Sequence, residues 1–187
     1  MQSSFLNLAL LRQSCRKYID SKVEQEKLDV ILEAARLSPS ASNSQPWTIV
    51  VVNDEAKCKM VAESTISGGI PINKFALQAP MFLVIVVEKA RPITRLAGWI
   101  KGKDFEWTDM GIIAEHICLQ AAELDLGSCM IGWFDEKRVK QVLNVPSNKR
   151  VGLVIALGYP PDDYHIRKKI RKSTDELVRY NTYSSIK

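Results

Sequence analysis

Two clusters of cations at opposite ends of the 187-residue chain are the residues whose types and spacing most directly suggest chemistry. Near the start, "RQSCRKY" sets Arg12, Ser14 and Arg16 at intervals of two at a helix end. Two guanidinium forks and a hydroxyl within so short a stretch can clamp a phosphate, because each fork offers paired donors to paired oxygens. Read alone, such a cluster is more often solvated surface. Near the other end, "HIRKKIRK" carries Arg167, Lys168, Lys169, Arg171 and Lys172 with no acid, and the formal net charge of +5 falls to zero without them. A nucleic-acid surface spreads its cations over a face and interleaves aromatics or amides. A compact run near the chain end suits one anion site, or a solvated loop.

Other chemistries are poorly provided for. His116 lies inside an apolar stretch and His165 beside the basic run, and neither has a serine elbow or cysteine placed to pair with it, which argues against a nucleophilic hydrolase. No G-x-G-x-x-G fingerprint occurs, and "GWIKGKD" fails as a phosphate loop because its glycines are too close and Asp104 replaces the magnesium-binding Ser or Thr. Cys15, Cys58, Cys118 and Cys129 are scattered without a C-x-x-C pair, so no zinc site is expected. Counting leaves disulfides open, but a chain that is 46% hydrophobic has core enough without them, and a cytoplasmic location is the default expectation. The longest apolar run, Met81 to Val87, has the length of a strand and not the roughly 20 residues of a membrane span. "FLNLALL" is read as a first helix, because its cations follow the apolar stretch, the wrong order for a secretory signal.

The elements that must position the cations alternate along what reads as one domain, 1-187. Leu28, Ile31, Leu32 and Ala35 have helical spacing, Ser21 and Glu24 have capping-box spacing before them, and Pro39 stops this helix at about Leu37. "TIVVV" (48–52) and "MFLVIVV" (81–87) read as strands, with a short helix from Asn53 or Asp54 between them. Residues 108–126 read as a long buried helix ended by Gly127. Strand "SCMIGWF", helix "DEKRVKQVLN", strand "VGLVIALG", a turn at "YPPDD" and a capped helix from Ser173 follow. The pattern is α+β or α/β with about four core strands. One segment, "SPSASNSQPW" (38–47), suits neither core nor helix, being small and amide side chains between two prolines.

Taken together and in this order, "LRQSCRKY", "LDVILEAARLSPSASNSQPWTIVVV", "DMGIIAEHICLQAAELDLGSCMIGWFD" and "IALGYPPDDYHIRKKIRKSTDELVRYN" resemble the nitroreductase family of FMN-dependent oxidoreductases. The resemblance implies an α+β three-layer sandwich with a central mixed, mostly antiparallel sheet flanked by helices. It also implies an intertwined homodimer with an FMN in each of two interface sites. The implied activity is hydride transfer from NADH or NADPH to nitroaromatic, quinone or similar small-molecule acceptors by a ping-pong mechanism. Reductive dehalogenation, dehydrogenation and non-enzymatic flavin binding or sensing are the alternatives. Nucleic acid, membrane and metal have no part in this reading.

Residue by residue, the resemblance places Arg12 and Ser14 on the phosphate and ribityl chain of FMN and Arg16 near the pyrimidine edge as electrostatic support. Lys169 and Arg171 become the second half of the phosphate clamp, while Arg167, Lys168 and Lys172 exceed what one phosphate needs and are read as solvated. Pro39, Ser40, Ala41 and Asn43 line the flavin held mainly by the other subunit, where small side chains let backbone approach the ring. Asn73 and Lys74, after the glycine pair at 68–69, match an amide and a base on the flavin. Ile131 and Gly132 match a strand whose backbone lies against the central ring, although a bulge would also explain that glycine. No catalytic side chain is required, since FMN carries the redox chemistry. The stretch 90–107, with Trp99, Phe105 and Trp107, is read either as a cover over the ring or as a loose loop with packing anchors.

Overall fold

The computed structural model describes residues 4–66 and 72–183, and within them a four-stranded sheet carries helices on both faces. The strands are β1 (Trp47–Val52), β2 (Met81–Val87), β3 (Gly127–Ile131) and β4 (Arg150–Gly158), in the spatial order β1-β2-β4-β3. Every adjacent pair is antiparallel. The parallel component among the described residues is one isolated bridge between Ser14 and Ser128, which lays the N-terminal segment along the outer edge of β3.

The sequence of β2 dictates the layering. All seven of its residues are apolar, so neither face can meet water, and strand alternation sends Phe82 and Val84 to one side and Met81, Leu83 and Ile85 to the other. In β4, Val154 and Ala156 join the first side, Ile155 and Leu157 the second. The first face is covered by α3 (Glu55–Ser64) and α6 (Glu136–Leu143), through Val61 and Val139. The second is covered by α2 (Gln25–Arg36) and α5 (Phe105–Glu123), through Ile31, Ile113 and Ile117. Each fully buried side chain of this size contributes about 1.5–3 kcal/mol, which makes the sheet centre a firm frame for whatever hangs on its edges.

Helix termini follow local chemistry, with three departures from expectation. Asp54 accepts the Lys57 N–H at 2.9 Å and Asp135 accepts the Arg138 N–H at 3.0 Å, starting α3 and α6. The Ser21–Glu24 box does not form: α2 starts at Gln25 without a side-chain cap, and the Glu24 carboxylate instead accepts the Tyr159 hydroxyl. The long helix α5 spans Phe105–Glu123, and Asp125 at φ 61° turns the chain toward β3, so Gly127 is not its terminator. The stretch 90–107 is no loose loop: α4 (Pro92–Lys101) begins on a proline and stops at Gly102 with φ 59°. At the chain ends, α1 (Ser4–Leu11) precedes the sheet, and the single turn α7 (Thr174–Leu177) carries a Ser173–Glu176 capping box. Among the described residues no helix is long and apolar enough to cross a membrane.

Candidate functional site

After α1 the chain runs out along β3. The Cys15 N–H donates to Ser128 O at 2.8 Å, and the Cys15 side chain is buried in the core of the first face. Arg12 closes α1, its N–H donating to Leu8 O at 2.9 Å, and Ser14 and Arg16 follow in the extended segment just beyond that helix end. The approach depends on Gly127, where a Cβ would lie 2.6 Å from Cys15 Sγ and 2.7 Å from Cys15 Cβ.

The C-terminal basic segment is bonded to this edge. Gln13 Oε1 accepts the Arg167 backbone N–H at 3.1 Å and its Nε–H at 3.3 Å, while Gln13 Nε2 donates to His165 O at 3.2 Å. Arg167 Nη2 donates to Ser14 O at 2.6 Å, Lys169 Nζ donates to Arg12 O, and the Tyr164 hydroxyl accepts the Arg16 N–H at 2.9 Å. Arg167, expected to be solvated, is therefore a strut between the chain ends. An extended edge leaves carbonyls without ladder partners, and a guanidinium fork satisfies them.

These bonds concentrate positive charge. Burial first, then Arg12 and Arg171, hold Lys169 below the usual lysine range, with Glu115 opposing and Arg167 adding to the effect. Arg12 Nε is buried without a hydrogen-bond partner, and its 3.5 Å ion pair with Glu115 Oε1 leaves that N–H unmet. Crowded cations and an orphaned guanidinium N–H are both relieved by an anion with several acceptor oxygens, so the donor set fits a phosphate monoester such as that of FMN.

Further along β3, Ile131 is buried in the core. Gly132 is exposed, and a Cβ there would meet nothing within 4 Å, leaving room for a flat ring against main chain. Asn73 pins this turn, its Nδ2 donating to Thr65 O at 3.0 Å and Trp133 O at 3.1 Å, so both amide hydrogens are spent on the protein. Lys74 opens the 3-10 turn Lys74–Gln78 and is exposed. Gly68 and Gly69 lie outside the described residues.

Residues 38–47 are placed elsewhere. Ala41–Asn43 form a 3-10 turn, and Ser42, Asn43 and Gln45 have φ of 51°, 51° and 48°. The Ala41 N–H donates to Asp109, Ser44 Oγ lies 2.9 Å from Thr94 Oγ1, and the Arg91 N–H donates to Ser44 Oγ at 3.3 Å, tying the segment to α5 and α4. It feeds β1, the edge opposite β3 and three strand spacings, about 14 Å, across the sheet. No hydrogen bond joins Pro39, Ser40, Ala41 or Asn43 to the basic cluster within the described chain. Next to this segment α4 turns Thr94 and Gly98 inward and Ile93, Leu96, Trp99 and Ile100 outward, with Trp99 82% exposed.

Residues 9–159 match the sequence model of the nitroreductase family. The chain belongs to that family. An FMN-dependent nitroreductase from Clostridium difficile R20291 superposes with a TM-score of 0.74 at 32% identity, covering 94% of this chain and 98% of that one. An NADH dehydrogenase of Thermus thermophilus is 27% identical over 83% of this chain and 86% of its own. The iodotyrosine deiodinase of Thermotoga neapolitana is 26% identical over 95% and 97%. In this nitroreductase-family protein the layered α+β sheet is the expected one, with the parallel element reduced to the Ser14–Ser128 bridge. Sequence reasoning missed Gln13, which bonds Arg167, and Tyr164 and Asp109, which bond the expected site residues Arg16 and Ala41; none of the three carries a motif of its own.

Proposed function

We propose that this protein is an FMN-dependent oxidoreductase that takes hydride from NADH or NADPH and passes it to a nitroaromatic, quinone or similar electrophile, donor and acceptor using one cleft in turn. The observation that carries this reading is the convergence of Arg12, Lys169 and Arg171 from opposite chain ends along the edge of β3, with the open backbone of Gly132 just beyond the end of that strand. In it Arg12, Lys169 and Arg171 hold the phosphate, Ser14 holds the ribityl chain, and Arg16 faces the pyrimidine edge. Asn73 keeps the Gly132–Trp133 turn in place, with Lys74 beside it. Bound there, FMN supplies the ring that accepts and releases hydride. The main chain of Ile131 and Gly132 would lie against that ring and exclude water from one of its faces. The likeness to an FMN-dependent nitroreductase and to an NADH dehydrogenase supports the cofactor and the donor.

The placement of residues 39–43 at the opposite sheet edge supports a homodimer in which Pro39, Ser40, Ala41 and Asn43 of one protomer line the site of its partner. The outward apolar face of α4, bonded to the same segment through Thr94 and Arg91, then covers that shared site. Four buried, unpaired cysteines suit a reducing cytoplasm.

The test is FMN titration of the purified protein followed by anaerobic mixing with NADH or NADPH. Rapid loss of the flavin's visible absorbance, restored by a nitroaromatic or quinone, is expected. Protein that binds no FMN, or that binds it and reacts with neither donor, overturns the reading. The likeness to an iodotyrosine deiodinase favours a second reading, reductive removal of halide at the same site. Iodide release from iodotyrosine by the reduced protein, without turnover of nitroaromatics, would establish it instead.

A further inference from the structure

Asp109 is the one charged residue buried among the described residues, 3% exposed in the second turn of α5. Its two carboxylate oxygens share a single donor, the Ala41 N–H, at 3.1 and 3.2 Å. Among the described residues no cation pairs with it, and the charged group that acts on it is another acid, Glu106, less than one turn earlier on α5. Burial, opposed by the Ala41 N–H and reinforced by Glu106, pushes its carboxyl above the usual aspartate range. A buried carboxylate with so little compensation weakens the fold, and an apolar side chain of similar size in its place is often neutral or stabilising.

What Asp109 touches gives that cost a purpose. The segment it holds has three L-residues, Ser42, Asn43 and Gln45, in the left-handed region, a conformation that persists only where the surroundings over-determine it. Several of its bonds are internal: Ser40 Oγ accepts the Gln45 N–H at 2.9 Å, and Asn43 Oδ1 accepts from Gln45 Nε2 at 2.9 Å. Others run to α4, itself a surface helix. Asp109 supplies the tie to the long helix buried against the sheet.

From this geometry we infer that Asp109 is a positioning residue, which fixes the 39–45 segment to α5 and so sets the height at which the Ala41–Asn43 backbone meets the flavin. The inference rests on the reading that this segment lines an FMN site. Asp109 itself touches neither cofactor nor acceptor.

Two readouts on the full-length protein separate this inference from that reading. The first is amide exchange of residues 39–45 without flavin, in wild type, Asp109→Asn and Asp109→Leu. In Asp109→Leu the Ala41 amide should exchange at least about tenfold faster while β1 and β2 keep their protection and the melting temperature is unchanged or raised. The second is FMN affinity by fluorescence titration. Asp109→Leu should raise the dissociation constant about tenfold or more, whereas Asp109→Asn, which keeps an acceptor of the same shape, should stay within about threefold of wild type. Unchanged Ala41 exchange in Asp109→Leu overturns the inference, as does a fall in melting temperature with protection lost across β1, which would make Asp109 an ordinary structural residue. Accelerated exchange in a protein whose wild type binds no FMN would leave the tether standing and remove only the flavin reading.

Discussion

The basic edge along β3 and the 38–47 segment before β1 are proposed to serve one ligand, yet they are built on opposite principles. At the edge, side chains from both chain ends satisfy backbone carbonyls and gather cations until Lys169 is pushed below its ordinary range. The segment is neutral and conformationally strained, and one buried acid ties it to α5. The first region holds by charge and the second by shape. The difference teaches that, on the proposed reading, the phosphate end of the site would be assembled within one chain, while the face over the ring would come from the far side of a sheet.

The comparison breaks first at its charged half. Arg12→Ala and Arg171→Ala should each raise the FMN dissociation constant more than about tenfold, since a charge-assisted contact is worth about 1.5–3 kcal/mol. The double variant should lose about a hundredfold or more with its circular dichroism spectrum intact, as measured by equilibrium dialysis. Retention of flavin by the double variant would mean that the cations are only a solvated face. A smaller effect is expected from Gly127→Ala, whose new methyl would lie 2.6 Å from Cys15 Sγ. Overpacking of this kind costs about 1–3 kcal/mol, read by urea denaturation, and displacement of Ser14 should weaken FMN binding in parallel. Arg167→Ala removes bonds to Gln13 and Ser14 and should cost about 1 kcal/mol or severalfold in affinity, while Lys168→Ala, which breaks none, serves as the control.

Acidity sharpens the contrast because the two regions have opposite signs. The folded pKa of Lys169 is depressed, so the apoprotein gains stability from this group as pH rises through that value toward 10.5. FMN binding needs the charged ammonium, so affinity should fall over the same window. The Asp109 pKa is raised, so its contribution is fully present below 3.8 and is lost as pH rises through the folded value. Thermal melts of wild type and Asp109→Leu between acid and neutral pH should therefore diverge in favour of the variant as pH rises. The smallest effects belong to the histidines. His116 bonds Ile112 O within its own helix and His165 offers only its backbone carbonyl to Gln13, so replacing either with Ala should leave flavin reduction within about twofold in stopped-flow measurements.

How much of this was legible follows the same division. β2, with its uninterrupted apolar run, and the helices capped by Asp54 and Asp135 could be placed within a residue or two because a local signal specifies each. The cations were visible as charge and Arg12 does stand at a helix end, but the pairing that lays Ser14 along β3 left no local signal, because it is made with a residue more than a hundred positions away. For the same reason Arg167 looked superfluous: its acceptors lie at the other end of the chain. α4 carried signals that could have been read, Pro92 at its start and Gly102 at its end. Asp109 left only a faint trace, as one of four acids in α5 with Glu106, Glu115 and Glu123, and nothing local says which backbone it holds.

The central claim is that clamp and segment meet across two chains, and mixed dimers test it most directly. A chain with Arg12→Ala and Arg171→Ala is co-expressed with a chain carrying Ala41→Trp, which blocks the small-residue segment, and the heterodimer is isolated by two different affinity tags. Each homodimer should bind FMN weakly. If the site is shared, the heterodimer contains one site with both parts damaged and one with both intact. It should then bind one FMN per dimer with wild-type affinity. If clamp and segment serve the same site within a single chain, every site in the heterodimer carries one lesion, and the absence of any tight FMN would contradict the account.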